Sequence, residues 1–133
     1  MTLELKTILI FFLVFFQKIN SQDISGNWNW EYQGKHLSEI SLESIGNDMY
    51  QGTYCSVFHT GRKIDCSDDE TEFCISLSKV SNNVFEGSFE SPSFKGSGTI
   101  RITYSTLNSD SFKLEILSSS GEFYLPHDVF FEQ

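Results

Sequence analysis

Residues 40–54 laid over residues 75–89 match at a constant offset of 35. Ile40-Ser41-Leu42 falls on Ile75-Ser76-Leu77, Ile45 on Val80 and Asn47 on Asn82. Met49-Tyr50-Gln51-Gly52-Thr53-Tyr54 then falls on Val84-Phe85-Glu86-Gly87-Ser88-Phe89. In each copy, apolar and polar residues alternate on both sides of a polar turn built around Asn, the pattern of a β-hairpin with one dry face and one wet face. A looser third copy runs from Ile100-Arg101-Ile102 through Asn108-Ser109-Asp110 to Phe112-Lys113-Leu114-Glu115-Ile116. Three copies with unequal connections are too few and too irregular for a solenoid. The repeat therefore predicts successive hairpins in one antiparallel sheet.

The same alternation places Phe73, Ile75 and Leu77, Phe85 and Phe89, and Ile100, Ile102 and Tyr104 on inward positions, with Cys74 on the outward parity. No segment carries a sustained apolar stripe at helical spacing. The expected class is all-β: an up-and-down antiparallel meander of about eight strands, near residues 26–32, 36–44, 48–57, 71–79, 83–90, 96–105, 110–117 and 121–125. Closure into a barrel would remove the exposed edges that invite aggregation. Gly52 and Gly87 lie mid-strand on the inward side, where a missing side chain permits the close approach that a curling sheet needs.

The strands are preceded by a different kind of segment. Lys6 leads into the apolar run Ile8-Leu9-Ile10-Phe11-Phe12-Leu13-Val14-Phe15-Phe16, and Gln17-Lys18-Ile19-Asn20-Ser21 follows. Such a run is about half the roughly 20 residues needed to span a bilayer as a helix, so residues 1–21 read as a cleaved signal peptide and residues 22–133 as one domain. Export makes the protein periplasmic or secreted, with no membrane span after cleavage. Removing Glu4, Lys6 and Lys18 leaves seven basic against seventeen acidic side chains, a net charge of −10. Nucleic acid is a poor partner for such a surface, because its binding rests on clustered Lys and Arg. A basic protein or a divalent cation suits the charge better, and the plainest account is a soluble acidic monomer.

Gly26-Asn27-Trp28 at the head of the first strand, followed by a meander of hairpins, resembles the lipocalin-like (calycin) small β-barrels. In that family a Gly-x-Trp element opens the first strand and the Trp plugs the closed end, so the resemblance implies a barrel with Trp28 as its plug. The chain is also similar to uncharacterised exported bacterial proteins that combine a signal peptide, a Gly-x-Trp strand and Asn-turn hairpins. In size and disulfide content it resembles the small exported barrels that inhibit lysozyme.

Cys55, Cys66 and Cys74 in an exported chain suggest one disulfide and one thiol. Cys55 with Cys66 would staple the hairpin around Thr60-Gly61-Arg62 and is the favoured pairing; Cys55 with Cys74 across neighbouring strands is the alternative. His36, His59 and His127 are too scattered for a catalytic thiol or a zinc set, so no catalytic residue, metal or cofactor is expected. Trp28, Trp30 and Tyr32 share one parity, and Trp28 and Trp30 with Tyr54 are the candidate ligand-binding residues for a small apolar or glycan-like molecule. Asp65, Asp68, Asp69, Glu70 and Glu72 form the one dense acidic run; its spacing matches no EF-hand loop for Ca²⁺, so it reads as a solvated loop, or, through Asp65, Asp68, Asp69 and Glu70, as a contact site for a protein partner, as in an inhibitor or immunity protein. The apolar tail, Phe123-Tyr124-Leu125-Pro126 and Val129-Phe130-Phe131, is expected to pack across the barrel or to pair as a last strand.

Overall fold

A computed structural model describes residues 23–69, 71–105, 107 and 110–133; residues 1–21, expected to be a signal peptide, Glu70 of the acidic run and Asn108-Ser109 of the third repeat copy lie outside the described residues. Among the described residues the alternating pattern forms nine strands: β1 (Gly26–Tyr32), β2 (Lys35–Gly46), β3 (Met49–Phe58), β4 (Lys63–Cys66), β5 (Ile75–Ser81), β6 (Val84–Glu90), β7 (Ser97–Ser105), β8 (Ser111–Ser120) and β9 (Val129–Glu132). Eight of them follow one another antiparallel, and β9 pairs with β1 at Asn29 and Glu132 to close the barrel. The extra strand, β4, pairs with the second half of β3.

The sequence repeat is a repeat of register. In the β2–β3 hairpin Ile40 faces Tyr54 and Leu42 faces Gly52; in the β5–β6 hairpin Ile75 faces Phe89 and Leu77 faces Gly87. Even the bulges correspond, falling between Ser44 and Gly46 in one copy and between Lys79 and Ser81 in the other. Asn47, Asp48 and Asn83 supply the left-handed backbone that tight hairpin turns require (φ 55°, 56° and 65°). The residues on inward parity, including Ile40, Leu42, Tyr50, Ile75, Leu77, Phe85, Phe89, Ile100, Ile102, Phe112 and Leu114, form the buried core.

Three local expectations give way. The strand expected from residue 71 starts only at Ile75, and Phe73 is 43% exposed. The cause is competition for one edge: β5 pairs with β3 over Met49–Gly52, and beyond that β3 is already paired with β4. Just before β5, Cys74 still donates its N–H to the Gly52 carbonyl and accepts from the Glu90 N–H, but its side chain is half-buried against the core instead of facing outward. The last strand lies at residues 129–132 and not at 121–125. Residues 121–128 first cross the upper end of the barrel, where Leu125 is buried and Phe123 sits 4.9 Å from Phe89, centroid to centroid.

The two ends of the barrel differ. At the lower end Trp28, 1% exposed, packs 4.6 Å from Phe112 and 6.0 Å from Tyr104, and its indole N–H donates to the Ile24 carbonyl at 2.9 Å. The upper end is the mouth, bordered by the β1–β2, β3–β4 and β6–β7 connections and by residues 121–128. The barrel curls tightly enough that a side chain at Gly52 would strike the Ser41 carbonyl, and one at Gly87 the Ser76 carbonyl. Gly52→Ala and Gly87→Ala should each destabilise the protein by about 1 to 3 kcal/mol, the usual cost of overpacking. Urea unfolding checks this, and wild-type midpoints for both variants would contradict the close approach.

Candidate functional site

Beneath the mouth lies a polar layer that the alternation alone does not account for. Ser38, Ser56 and Asp65 are buried, and the Ser38 and Ser56 hydroxyls meet at 2.7 Å. Asp65 is 0% exposed, a position that a carboxylate holds only with full compensation. Its Oδ2 accepts from the Tyr54 hydroxyl at 2.6 Å and from the Tyr124 backbone N–H at 2.9 Å. Its Oδ1 accepts from the Ser91 hydroxyl at 2.7 Å and the Ser93 backbone N–H at 3.1 Å. One side chain on β4 thus ties together β3, the β6–β7 loop and the segment that crosses the mouth. The Cys55–Cys66 disulfide spans the β3–β4 pair immediately beside it. On the chain-entropy model, closing a loop of this size adds about 2 to 3 kcal/mol.

The network sets the chemistry of its neighbours. Burial, followed by the hydrogen bond to Asp65, pushes the Tyr54 phenol far above its ordinary value, so Tyr54 acts as a fixed donor. Burial pushes the Cys74 thiol up to about 11, which keeps it protonated and poorly nucleophilic. Among the described residues no three His, Cys, Asp or Glu side chains converge as a metal site.

Above this layer the rim of the mouth is aromatic. Trp28, Trp30 and Tyr32 climb the inward line of β1 from the plug to the mouth, and their exposure rises from 1% through half-buried to 58%. Phe58 ends the inward line of β3 and lies 6.2 Å from Trp30, with ring planes inclined by 29°. Tyr32 lies 6.3 Å from Trp30 on the other side, at 30°. The row continues from Phe58 to Tyr124 at 5.9 Å and from Tyr124 to Phe94 at 5.2 Å. Five rings from four separate segments thus form one partly exposed surface. Polar groups border its far end: the Lys63 ammonium lies 5.4 Å from the Phe94 ring and 5.9 Å from that of Tyr124, and His59 lies edge-on to Tyr124 at 6.0 Å.

Comparison with protein-family models, with curated proteins and with solved structures gives no match. The likeness to the calycin-like small barrels is therefore one of architecture, an antiparallel meander of eight strands closed on itself.

Of the residues expected to bind a ligand, Trp30 alone reaches this surface. Trp28 is the plug, and Tyr54 is 2% exposed with its hydroxyl committed to Asp65. The space that a ligand cup would occupy is filled by Tyr54, Phe85, Phe89 and Leu125. The acidic run divides as well. Asp68 and Asp69 are exposed, and Asp69 caps its own turn by accepting from the Thr71 N–H and hydroxyl. Asp65 has no surface to offer a partner, because it belongs to the buried network. Phe58 and Phe94 were not singled out from the sequence, and Tyr124 was read only as part of the apolar tail; for Phe94 the available signal was an aromatic residue in an otherwise Ser-, Gly- and Pro-rich connection.

An amide at position 65 would place its NH₂ against a fixed backbone N–H, that of Ser93 or of Tyr124, whichever way it turns. Asp65→Asn should therefore leave a buried donor unpaired and cost about 1 to 3 kcal/mol in urea unfolding, with Asp65→Ala costing more. Stability equal to wild type in Asp65→Asn would show that the carboxylate is dispensable. For Cys74, alkylation by iodoacetamide at mildly alkaline pH should be slow in the native protein and fast in urea. The native rate should climb only as the pH approaches about 11, and rapid labelling of the folded protein at lower pH would contradict the burial argument.

Proposed function

We propose that this is an exported, non-enzymatic barrel of the lipocalin-like type that binds a ring-bearing small molecule, glycan-like or apolar, on the outside of its mouth and not in an internal cup. The observation that carries this reading is the row Tyr32, Trp30, Phe58, Tyr124 and Phe94, each ring 5.2 to 6.3 Å from the next and each partly open to solvent. Aromatic surface left in water is costly unless something covers it, and although the rings are inclined to one another by 29° to 64°, each partly open ring offers a face or edge to another ring. Rigid strands and the Asp65 network hold the rings in place, so little conformational entropy would be lost on binding. The disulfide fits an oxidising compartment, in keeping with a periplasmic or secreted site of action.

A second reading, a protein-binding module of inhibitor or immunity type, is favoured by one observation. Exposed Asp68 and Asp69 stand on the loop that leads to the exposed Phe73, which together offer an acidic patch with an apolar centre.

Substitutions separate the two. Native mass spectrometry of the mature protein recovered from its own cell envelope should show a retained small molecule, lost in Trp30→Ala and Tyr124→Ala and kept in Asp68→Asn/Asp69→Asn. Loss on neutralising the acids, with the rim variants unaffected, would favour the protein partner. Trp28→Ala should instead lose stability, by about 3 to 5 kcal/mol for a large buried aromatic.

A further inference from the structure

Lys63 and Glu122 are the charged groups that the aromatic row draws into its own surface. The Lys63 ammonium lies over both Phe94 and Tyr124 and 3.5 Å from Glu122 Oε2. That same oxygen accepts from the Tyr124 hydroxyl at 2.7 Å. The two side chains remain 41% and 49% exposed. An ion pair this open contributes little to folding. It does place an ammonium with spare donors and a carboxylate with a second oxygen side by side at the edge of two aromatic faces.

Resting on the stacking reading above, we propose that the Lys63–Glu122 pair reads two adjacent hydroxyl groups on a saturated ring stacked against Tyr124, with Phe94 inclined at 64° beside it, so that the ligand is a neutral sugar chain with free vicinal hydroxyls. One hydroxyl donates to the Glu122 carboxylate and its neighbour accepts from the Lys63 ammonium, both charge-assisted bonds. The C–H face of the same ring lies on the aromatic surface. An acidic sugar would bring its carboxylate against Glu122 and against a domain of net charge −10 once residues 1–21 are removed. An amino sugar would bring a cation against Lys63. A wholly apolar ring would cover the ammonium and the carboxylate without giving either a partner, which is unfavourable.

The test titrates the mature protein with neutral cello-, manno- and xylo-oligosaccharides, with an oligogalacturonate of matched length and with the apolar probe N-phenylnaphthylamine, following Trp fluorescence and heat. Lys63→Met keeps the stem over the rings, and Glu122→Gln keeps an oxygen for the Tyr124 hydroxyl. Binding of a neutral oligosaccharide, weakened about tenfold or more by either substitution, with no binding of oligogalacturonate, is the expected result. Oligogalacturonate binding as tightly as the neutral chains would overturn the proposal, as would neutral binding unchanged in both variants. If the apolar probe binds at the rim, as judged by its loss in Trp30→Ala, while no sugar does, the hydroxyl reading fails and the stacking surface stands. If nothing in the set binds, both fail.

Discussion

The buried carboxylate of Asp65 is the interaction on which the upper half of this barrel depends. A carboxylate removed from water must recover its solvation from the protein, and here four donors supply it: two hydroxyls and two backbone N–H groups. Because those donors come from β3, the β6–β7 loop and the crossing segment, satisfying the charge also fixes where those parts sit relative to one another. The disulfide next to it keeps β4, and therefore Asp65, from leaving β3. The aromatic row is a consequence. Phe58, Phe94 and Tyr124 ride on the very segments that the carboxylate draws together.

The lower half is held by different means. Hairpins with identical register and matching bulges bring the same inward positions into the core twice, and glycine at the same place in each lets the neighbouring strand's backbone approach where a side chain would stand. The indole of Trp28 then fills the end and satisfies its own N–H on the Ile24 carbonyl. A plug of hydrocarbon at one end and a polar knot at the other give the barrel two unlike ends, and the row of five partly exposed rings lies at the knotted end.

Much of the fold was legible because hairpins are local. Alternation at period two, a polar turn and a second alternating run are all contained within fifteen residues, and apart from β3 with β5 and the closing pair β1 with β9, strands partner the next one along the chain. The places where legibility failed are those where a distant segment competes for an edge. Phe73 has the right parity for the core, but it lies on the connection from β4, which pairs with β3 from Cys55 onward, and stays 43% exposed. Phe123 to Leu125 reads as a strand, yet these residues cross the mouth because Tyr124 must reach Asp65, a contact between residues 59 positions apart. The candidate site was legible only at Trp30 and Tyr32. Of the other rings, Phe58 ends β3, and Phe94 and Tyr124 lie in connections that converge on Asp65.

By itself, the sequence determined that the chain would form antiparallel hairpins with one dry face, and where the strong turns lie. Side-chain parity and left-handed turn residues are properties of neighbouring positions, and they need nothing from the rest of the molecule. Which aspartate of an acidic run would be buried, and which aromatics would meet at the surface, was decided only by tertiary structure. Asp65 and Asp68 differ little as residues in a sequence; they differ in whether donors from remote segments converge on them, and that convergence exists only once the barrel has closed.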